Sequence, residues 1–240
     1  MELTIVMPVY NEEEILDVVI SGWVDKLDSL NIDYEFCVYN DGSRDNTLAV
    51  LNVCKKKYPK LLVIDKKNSG HGPTILTGYK NAKGKWIFQI DSDNEIESIH
   101  FEKIWDKREK YDFLVGARAN RESPLARKII TVISRFTVRI LYGIGINDVN
   151  SPYRLYKASA FKEAFNLLPD NTFAPNVILS GYAALKKLRI FETPIPYKLR
   201  QTGEVSIRKW KLLKSAAKSL FQTIKFRFSI STRNQYNAAE

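Results

Sequence analysis

The sequence predicts an α/β fold, a mostly parallel sheet flanked by helices. Three observations predict it. Short apolar runs of strand length alternate with helix-length segments through roughly the first 120 residues. Three polar clusters, PVYNE, NDGSRD and DSDNE, each follow one of those apolar runs directly. In a parallel sheet such positions share one rim, where ligands bind beyond the carboxyl ends of the strands.

The elements follow in order. LTIVMPV is the first predicted strand, stopped by Pro8, and NEEEILDVVISGWVDKLDSL is a helix with Asn11 as N-cap and acids in its first turn. YEFCVYN is a second strand; DGSRDNTLAVLNVCKKKYP is a turn entering a second helix, with Asp45 and Thr47 as capping residues. LLVID is a third strand, followed by the glycine-bearing loop NSGHGPT and a helix that closes near Gly84. KWIFQID and YDFLVGA are the fourth and fifth strands. After residue 120 the pattern changes to SPLARKIITVISRFTVRILYG, a basic, apolar-rich helix. Its Lys128, Arg135 and Arg139 fall within about 40° of one another around the axis. PYRLYKASAF is a strand entering a helix, APNVILSGYAALKKL another helix, and RIFETPIPYKLR an edge or irregular strand because of its prolines. IRKWKLLKSAAKSLFQTIKF is an amphipathic helix, with Trp210, Leu213, Ala217, Leu220, Phe221 and Ile224 on one face.

Composition bounds the function. The 240 residues are 45% hydrophobic, enough for one large domain or two small ones. Cys37 and Cys54 suit structural thiols in a reducing compartment. No secretory signal and no membrane-spanning run is predicted, so a cytoplasmic location is expected. The formal net charge is +10, and Arg208 to Arg233 holds eight basic residues and no acid. Basic segments of this kind meet nucleic acid, anionic membrane or phosphorylated ligands.

WIFQIDSDNEIES carries the main chemical signal. An apolar strand ends in Asp91, Asp93 and Glu95, which would all point one way in an extended segment. Like charges so close require a cation, arginines or water around them. Hard oxygens at that spacing suit Mg²⁺ or Mn²⁺, above all a metal that also bridges two phosphates. Asp41, at the exit of the second strand, is placed to accept a hydrogen bond from a base or ribose. NSGHGPT lacks the spacing and lysine of a P-loop, and no GxGxxG is present, so dehydrogenase- and ATPase-type sites are disfavoured. Gly70 and His71 in this loop are candidate ligand contacts. No Ser–His–Asp, Cys–His or zinc arrangement is visible.

IVMPVYNEEE, NDGSRDNT and FQIDSDNEIE, in that order and at these distances, resemble the inverting family-two nucleotide-sugar glycosyltransferases with the Rossmann-like A-type fold. DVNSPYRLYKASAF and IPYKLRQTGEVSIRKWKLL are similar to the dolichyl-phosphate mannose synthase group, whose members move a sugar from a nucleotide to a polyprenyl phosphate. The resemblance runs to about residue 225. It implies a catalytic region over 1–206, with a nucleotide-sugar half over 1–120 and an acceptor half over 121–206, then a basic amphipathic segment over 207–240. It implies that Pro8, Tyr10, Glu12 and Asp41 hold the nucleoside of a UDP- or GDP-sugar. Asp91 and Asp93 match the DxD pair that binds Mg²⁺ or Mn²⁺, with Glu95 as a further metal ligand and Ser92 near the ribose. Asn40 stands where an Asp is usual. Arg200, Gly203 and Ser206 resemble an Arg–Gly–Ser element near the diphosphate, with the serine one residue further along. The acidic base and QxxRW motif of hydroxyl-acceptor relatives are missing. A phosphate acceptor is already ionised and requires no base; Arg118 and the Lys128/Arg135/Arg139 face are candidates to bind it. If a base is required, Asp148 is the best candidate and Asp170 a weaker one.

The basic last helix suits an anionic membrane surface, which would make the enzyme peripheral on the inner face; its apolar face could equally close the sheet's flank or form a homodimer contact. Two rival readings stay open. One is transfer to a saccharide hydroxyl in cell-surface glycan assembly. The other is a basic nucleic-acid-binding module using Trp210, Phe221, Phe226 and Phe228, although no specific nucleic acid is expected.

Overall fold

The computed structural model describes residues 1–119, 125–143, 146–198 and 209–236; the side chains of 125–130, 209–213 and 231–236 lie outside the description. Seven strands form one sheet: β1 (Leu3–Val9), β2 (Tyr34–Asp41), β3 (Leu61–Lys66), β4 (Trp86–Gln89), β5 (Phe113–Ala119), β6 (Arg154–Lys157) and β7 (Ile190–Pro196). Their order is β3-β2-β1-β4-β6-β5-β7. β6 runs antiparallel to β4 and β5, and the other pairings are parallel. The chain steps outward from β1 to β3 and then returns to β4 on the other side of β1. That reversal opens a crevice at the carboxyl ends of β1 and β4.

The helices are α1 (Leu16–Ser29), α2 (Thr47–Lys57), α3 (His71–Asn81), the short α4 (Glu102–Trp105), α5 (Leu125–Tyr142), α6 (Ala158–Leu167), α7 (Pro175–Leu185) and α8 (Lys209–Tyr236). Alternation along each strand divides the core in two. One face of the sheet packs Leu3, Phe36, Phe88, Leu114 and Tyr153 against Trp23 and Leu27 of α1 and Phe101. The other packs Val6, Ile87, Phe113 and Tyr156 against Tyr79 of α3, Phe161 of α6, Ile178 of α7 and Phe226 of α8. Both cysteines are buried and free.

Several sequence expectations are corrected here. Pro8 does not stop β1. It pairs in register with Tyr39 of β2, whereas the β4 ladder ends at Val6 opposite Gln89, so its missing N–H breaks no bond on that side. Asn11 is not the cap of α1, because the helix begins five residues later and Asn11 holds a left-handed turn at φ 54°. β4 ends at Gln89, so Asp91 and Asp93 lie in a loop. The sheathed face of α8 is also different from the one expected. Ser219, Thr223, Phe226 and Ile230 are buried, while Leu220 and Phe221 face outward. Trp210 and Leu213 lie outside the described side chains. Phe226 inside and Phe221 and Phe228 outside do not make the single aromatic platform that a nucleic-acid module would use.

Candidate active site

The loops after β1 and β2 are stitched together. Asn11 donates its N–H to Ser43 Oγ at 3.0 Å and accepts the Arg44 N–H on Oδ1 at 2.8 Å. The Glu12 N–H donates to Thr47 Oγ1 and the Glu13 N–H to Asp45 Oδ2. The acids of NEEE therefore brace this junction instead of opening a helix. Pro8 and Glu12 are buried beside it, and Tyr10 stands half-exposed at the crevice.

Asn40, the departure from the usual Asp, has a local cause. It opposes Asp65 across the β2–β3 ladder, and its Nδ2 donates to Asp65 Oδ1 at 2.7 Å. An aspartate there would face a like charge.

Asp41 lies at the end of β2, 4% exposed. Its Oδ1 accepts from Lys66 Nζ and from the Ser69 N–H, and its Oδ2 from the Gly70 N–H at 2.8 Å. Burial pushes the Asp41 pKa up, but Lys66, the Ser69 amide and Thr74 together hold it below the usual carboxylate range. The amides of Ser69 and Gly70 are thus taken by Asp41, so the glycine loop is no open phosphate cradle. The Gly70 φ of 93° turns the chain into α3. Gly72 follows because a Cβ there would meet the Phe173 carbonyl oxygen at 2.0 Å. Lys66 was not singled out from the sequence, although its place at the end of the third strand, beside Asp41, was a usable signal.

His71, at the start of α3, brings the clusters together. Its Nε2 lies 3.0 Å from Asp91 Oδ1. Partial desolvation by the surrounding loops works against its protonated form, but Asp91 first, then Asp93 and Asp41, raise its pKa above the usual value, although the ring remains 56% exposed. Asp91 is the mirror case: burial disfavours its charge, and His71, Arg118 and Gln89 nonetheless hold its pKa down. The clusters after β1, β2 and β4 that the sequence placed on one rim therefore do lie together: Asn11 is bonded to Ser43, and Asp41 and Asp91 are bonded to the adjacent Gly70 and His71. Ser92 is buried between the two aspartates.

Glu95 is not aligned with Asp91 and Asp93 along an extended segment. Asn94 takes φ 55° and the Glu95 N–H caps Asp93 Oδ1 at 3.2 Å, so the segment turns and the alternation that would align three carboxylates is lost. Among the described residues no three His, Cys, Asp or Glu side chains form a metal-holding group. Asp91 and Asp93 still fit a divalent ion. They are hard oxygen donors, and both bonds on Asp91, from His71 and Gln89, fall on Oδ1. An ion shared with a diphosphate takes its remaining ligands from phosphate oxygens and water.

Arg118, at the end of β5, is bonded by Asp148 at both ends: Nε to Oδ2 at 2.8 Å and Nη2 to Oδ1 at 2.9 Å. Burial raises the Asp148 pKa, but the bonds and charge of Arg118 bring it below the usual range. A carboxylate held ionised by a buried guanidinium is a poor proton acceptor. Asp170 is bonded to Lys80 at 2.6 Å on the surface, also occupied. The expected arginine face on α5 is folded over: Arg135 Nε donates to the Asn147 carbonyl and Arg139 Nη2 reaches Asn147 Oδ1 at 3.4 Å. The Lys128 side chain, Arg200, Gly203 and Ser206 lie outside the described residues.

A Rossmann-like sheet with acidic and basic side chains converging at its topological switch point defines an α/β protein whose ligand crevice lies at that point. The Glycosyl transferase family 2 profile matches residues 4–165, and the chain belongs to that family. It is 27% identical over 184 residues to an undecaprenyl-phosphate 4-deoxy-4-formamido-L-arabinose transferase of Shewanella sediminis, covering 75% of this chain and 55% of the relative. It is 24% identical over 214 residues to the Pseudomonas fluorescens protein of the same name, covering 88% and 62%. The chain thus spans somewhat over half the length of these relatives. Glucosyl-3-phosphoglycerate synthase from Mycobacterium tuberculosis, solved with Mn²⁺, UDP-glucose and phosphoglyceric acid, superposes with a TM-score of 0.69 at 14% identity, over 92% of this chain and 79% of that one. Staphylococcus aureus TarS with UDP-GlcNAc superposes with a TM-score of 0.58 at 19% identity, over 94% and 73%. Both structures share the A-type glycosyltransferase fold.

Proposed function

We propose that this chain is an inverting glycosyltransferase that carries a sugar from a UDP- or GDP-linked donor to a polyprenyl phosphate at an anionic membrane surface. The observation that carries the reading is that Asp41, at the end of β2, and Asp91, in the loop after β4 that also holds Asp93, are both bonded to the Gly70–His71 turn at the switch point. The names of the relatives support the acceptor.

In this reading Tyr10 and Asp41 hold the base, with Pro8, Glu12 and Ser92 shaping the nucleoside pocket. Gly70 and Lys66 fix Asp41 so that its carboxylate stays ionised. Asp91 and Asp93 would hold Mg²⁺ or Mn²⁺, whose charge offsets that on the departing diphosphate. Arg118 binds the acceptor phosphate, and Asp148 sets its orientation. An acceptor oxygen attacks the anomeric carbon from the face opposite the diphosphate. The new C–O bond forms as the bond to the diphosphate oxygen breaks, which inverts the centre and releases the nucleoside diphosphate. The attacking phosphate arrives ionised, so no proton has to be taken from it, in keeping with the engagement of Asp148 by Arg118. Arg200 and Ser206 are proposed, from the sequence resemblance alone, as diphosphate contacts. The division of labour follows the fold, with 1–120 holding the donor and 121–206 the acceptor.

The membrane part rests on α5 and α8. Val132, Phe136 and Ile140, at four-residue spacing, are 61%, 64% and 65% exposed, and Ile133 is 49% exposed. Arg135 and Arg139 flank this stripe, and Leu220 of α8 meets it across a groove lined by Ile133, Val177 and Thr223, while Phe221 beside Leu220 is exposed. An apolar stripe edged by cations suits the headgroup boundary of anionic lipid. Among the described residues no helix is long and apolar enough to cross a membrane.

The test is calorimetric binding of UDP and GDP, each with Mn²⁺ and with EDTA, followed by transfer assays on undecaprenyl phosphate and on a free saccharide. Metal-dependent binding of one nucleotide, lost in Asp93→Asn, together with product only on the lipid phosphate, is expected. Absence of binding in the folded protein would remove the donor site, and product on the saccharide would replace the acceptor.

A further inference from the structure

We propose that Gln89 and Asn176 are positioning residues for Asp91, held in one orientation by the buried Arg154. The inference rests on the reading of Asp91 as a cation ligand. Gln89 is the last residue of β4, fully buried in an otherwise apolar strand. A buried amide is costly unless both its ends are bonded, and this one is. Its Nε2 donates to Asp91 Oδ1 at 3.2 Å, and its Oε1 accepts from Asn176 Nδ2 at 2.8 Å.

An amide presents a donor on one side and an acceptor on the other, so something must decide which side faces Asp91. Arg154 decides it. It lies directly opposite Gln89 in the β4–β6 register and is fully buried, without a carboxylate hydrogen-bonded to it among the described residues. Its guanidinium donates to the Ser151, Asn176 and Val149 carbonyls, to Ser180 Oγ and to the Tyr156 hydroxyl at 3.2 Å. A guanidinium has no acceptor. The Tyr156 oxygen must therefore accept from it, and the Tyr156 proton is directed onward to Asn176 Oδ1 at 3.4 Å. With Oδ1 receiving, Asn176 turns its Nδ2 to Gln89, and Gln89 turns its N–H to Asp91. The single Tyr79 hydroxyl proton serves either Gln89 Oε1 at 2.5 Å or Asn176 Oδ1 at 2.8 Å, so Tyr79 leaves the sense of the two amides to their other partners. The chain of bonds crosses from α7 and β6 in the acceptor half to β4 in the donor half. It ends on a carboxylate at the crevice, where a network serving packing alone would end inside the core.

The deciding variants are Asn176→Asp and Gln89→Met in the full chain. An aspartate at 176 keeps the shape but offers only acceptors, so the Gln89 amide reverses and presents its carbonyl oxygen to Asp91. Gln89→Met removes the donor outright. The readout is the ratio of nucleotide Kd in EDTA to that in Mn²⁺, using the nucleotide that the wild type binds, with thermal unfolding measured alongside. Both variants are expected to lose about tenfold or more of the Mn²⁺-dependent tightening, the usual range for a ligand's outer partners, while Kd in EDTA stays as in wild type. If Gln89→Met does not fold, Asn176→Asp decides. Folded variants that keep the wild-type ratio would overturn the proposal and leave the network a packing device. A wild type whose binding ignores Mn²⁺ would instead sink the metal reading of Asp91, and this inference with it.

Discussion

Asp148 gives both of its oxygens to one guanidinium, that of Arg118, and the two side chains are 15% and 8% exposed. Removing one partner of a buried pair leaves the other charge uncompensated, a loss of about 3–5 kcal/mol. Asp148→Asn is therefore expected to lower stability by about that much in urea unfolding and to raise the KM for the acceptor through a misplaced Arg118. A base role would instead remove the acid limb of the pH–kcat profile, and an unchanged limb in the residual activity separates the two. The same pairing sets a pH dependence of stability. The Asp148 carboxyl in the folded protein titrates below the ordinary 3.8, and so do those of Asp41 and Asp91. Groups with depressed folded values add stability that is complete above the unfolded value and is lost as the pH falls below it toward the folded one. The melting temperature should hold from neutrality to about pH 5 and then fall, less steeply in Asp148→Asn. A fall beginning near pH 7 would point instead to His100, whose burial and neighbouring Lys103 depress its pKa; His71, with a raised value, acts in the opposite sense. That Asp41, Asp91 and Asp93 lie on one rim was legible in the sequence, because each follows an apolar strand of a parallel sheet. Gln89 was equally visible as a polar residue in WIFQI but required its partners, 65 to 87 positions away in Arg154 and Asn176, to acquire meaning.

At the scale of elements, hydrophobic period made the strands and most helices legible, and failed where polar tertiary bonds decide the ends. The NEEE segment has good helix-start chemistry, yet its amides and carboxylates are taken by Ser43, Asp45, Asn46 and Thr47 from the next loop, which no local signal announces. α8 fails for another reason. Its sequence offers two faces, and the more apolar one stays outside, because Tyr142 donates to the Thr223 carbonyl and Arg227 to the Leu141 carbonyl, fixing the helix rotation against α5. Two substitutions separate the faces. Phe226→Ala empties a site that is 4% exposed and should cost about 3–5 kcal/mol in urea unfolding. Phe221→Ala, at 66% exposed, should stay within about 0.5 kcal/mol. Equal losses would mean that α8 packs through the face read from the sequence.

Over the whole molecule, the net charge of +10 and the bare apolar stripe on α5 belong to one argument. In the proposed reading a long-range positive field would draw the chain to an anionic bilayer, each basic residue near the surface contributing about 1 kcal/mol, screened beyond about 8–10 Å in physiological salt. Charge alone leaves the orientation open. Val132, Phe136 and Ile140 supply it, since burying a large apolar side chain is worth about 1.5–3 kcal/mol and the three lie on one face. The chain should therefore sediment with phosphatidylglycerol vesicles and not with phosphatidylcholine vesicles, and added salt should weaken the binding. Val132→Asp combined with Phe136→Asp should reduce the partition to phosphatidylglycerol by about a hundredfold or more, given two lost burials of this size. Because both residues are exposed, the melting temperature should not move, and nucleotide binding in Mn²⁺ should persist. Transfer to undecaprenyl phosphate in vesicles should fall in proportion to the bound fraction and recover when the acceptor is presented in detergent. Binding to neutral and anionic vesicles alike, or a double variant that partitions as the wild type does, would locate the membrane contact elsewhere on the molecule.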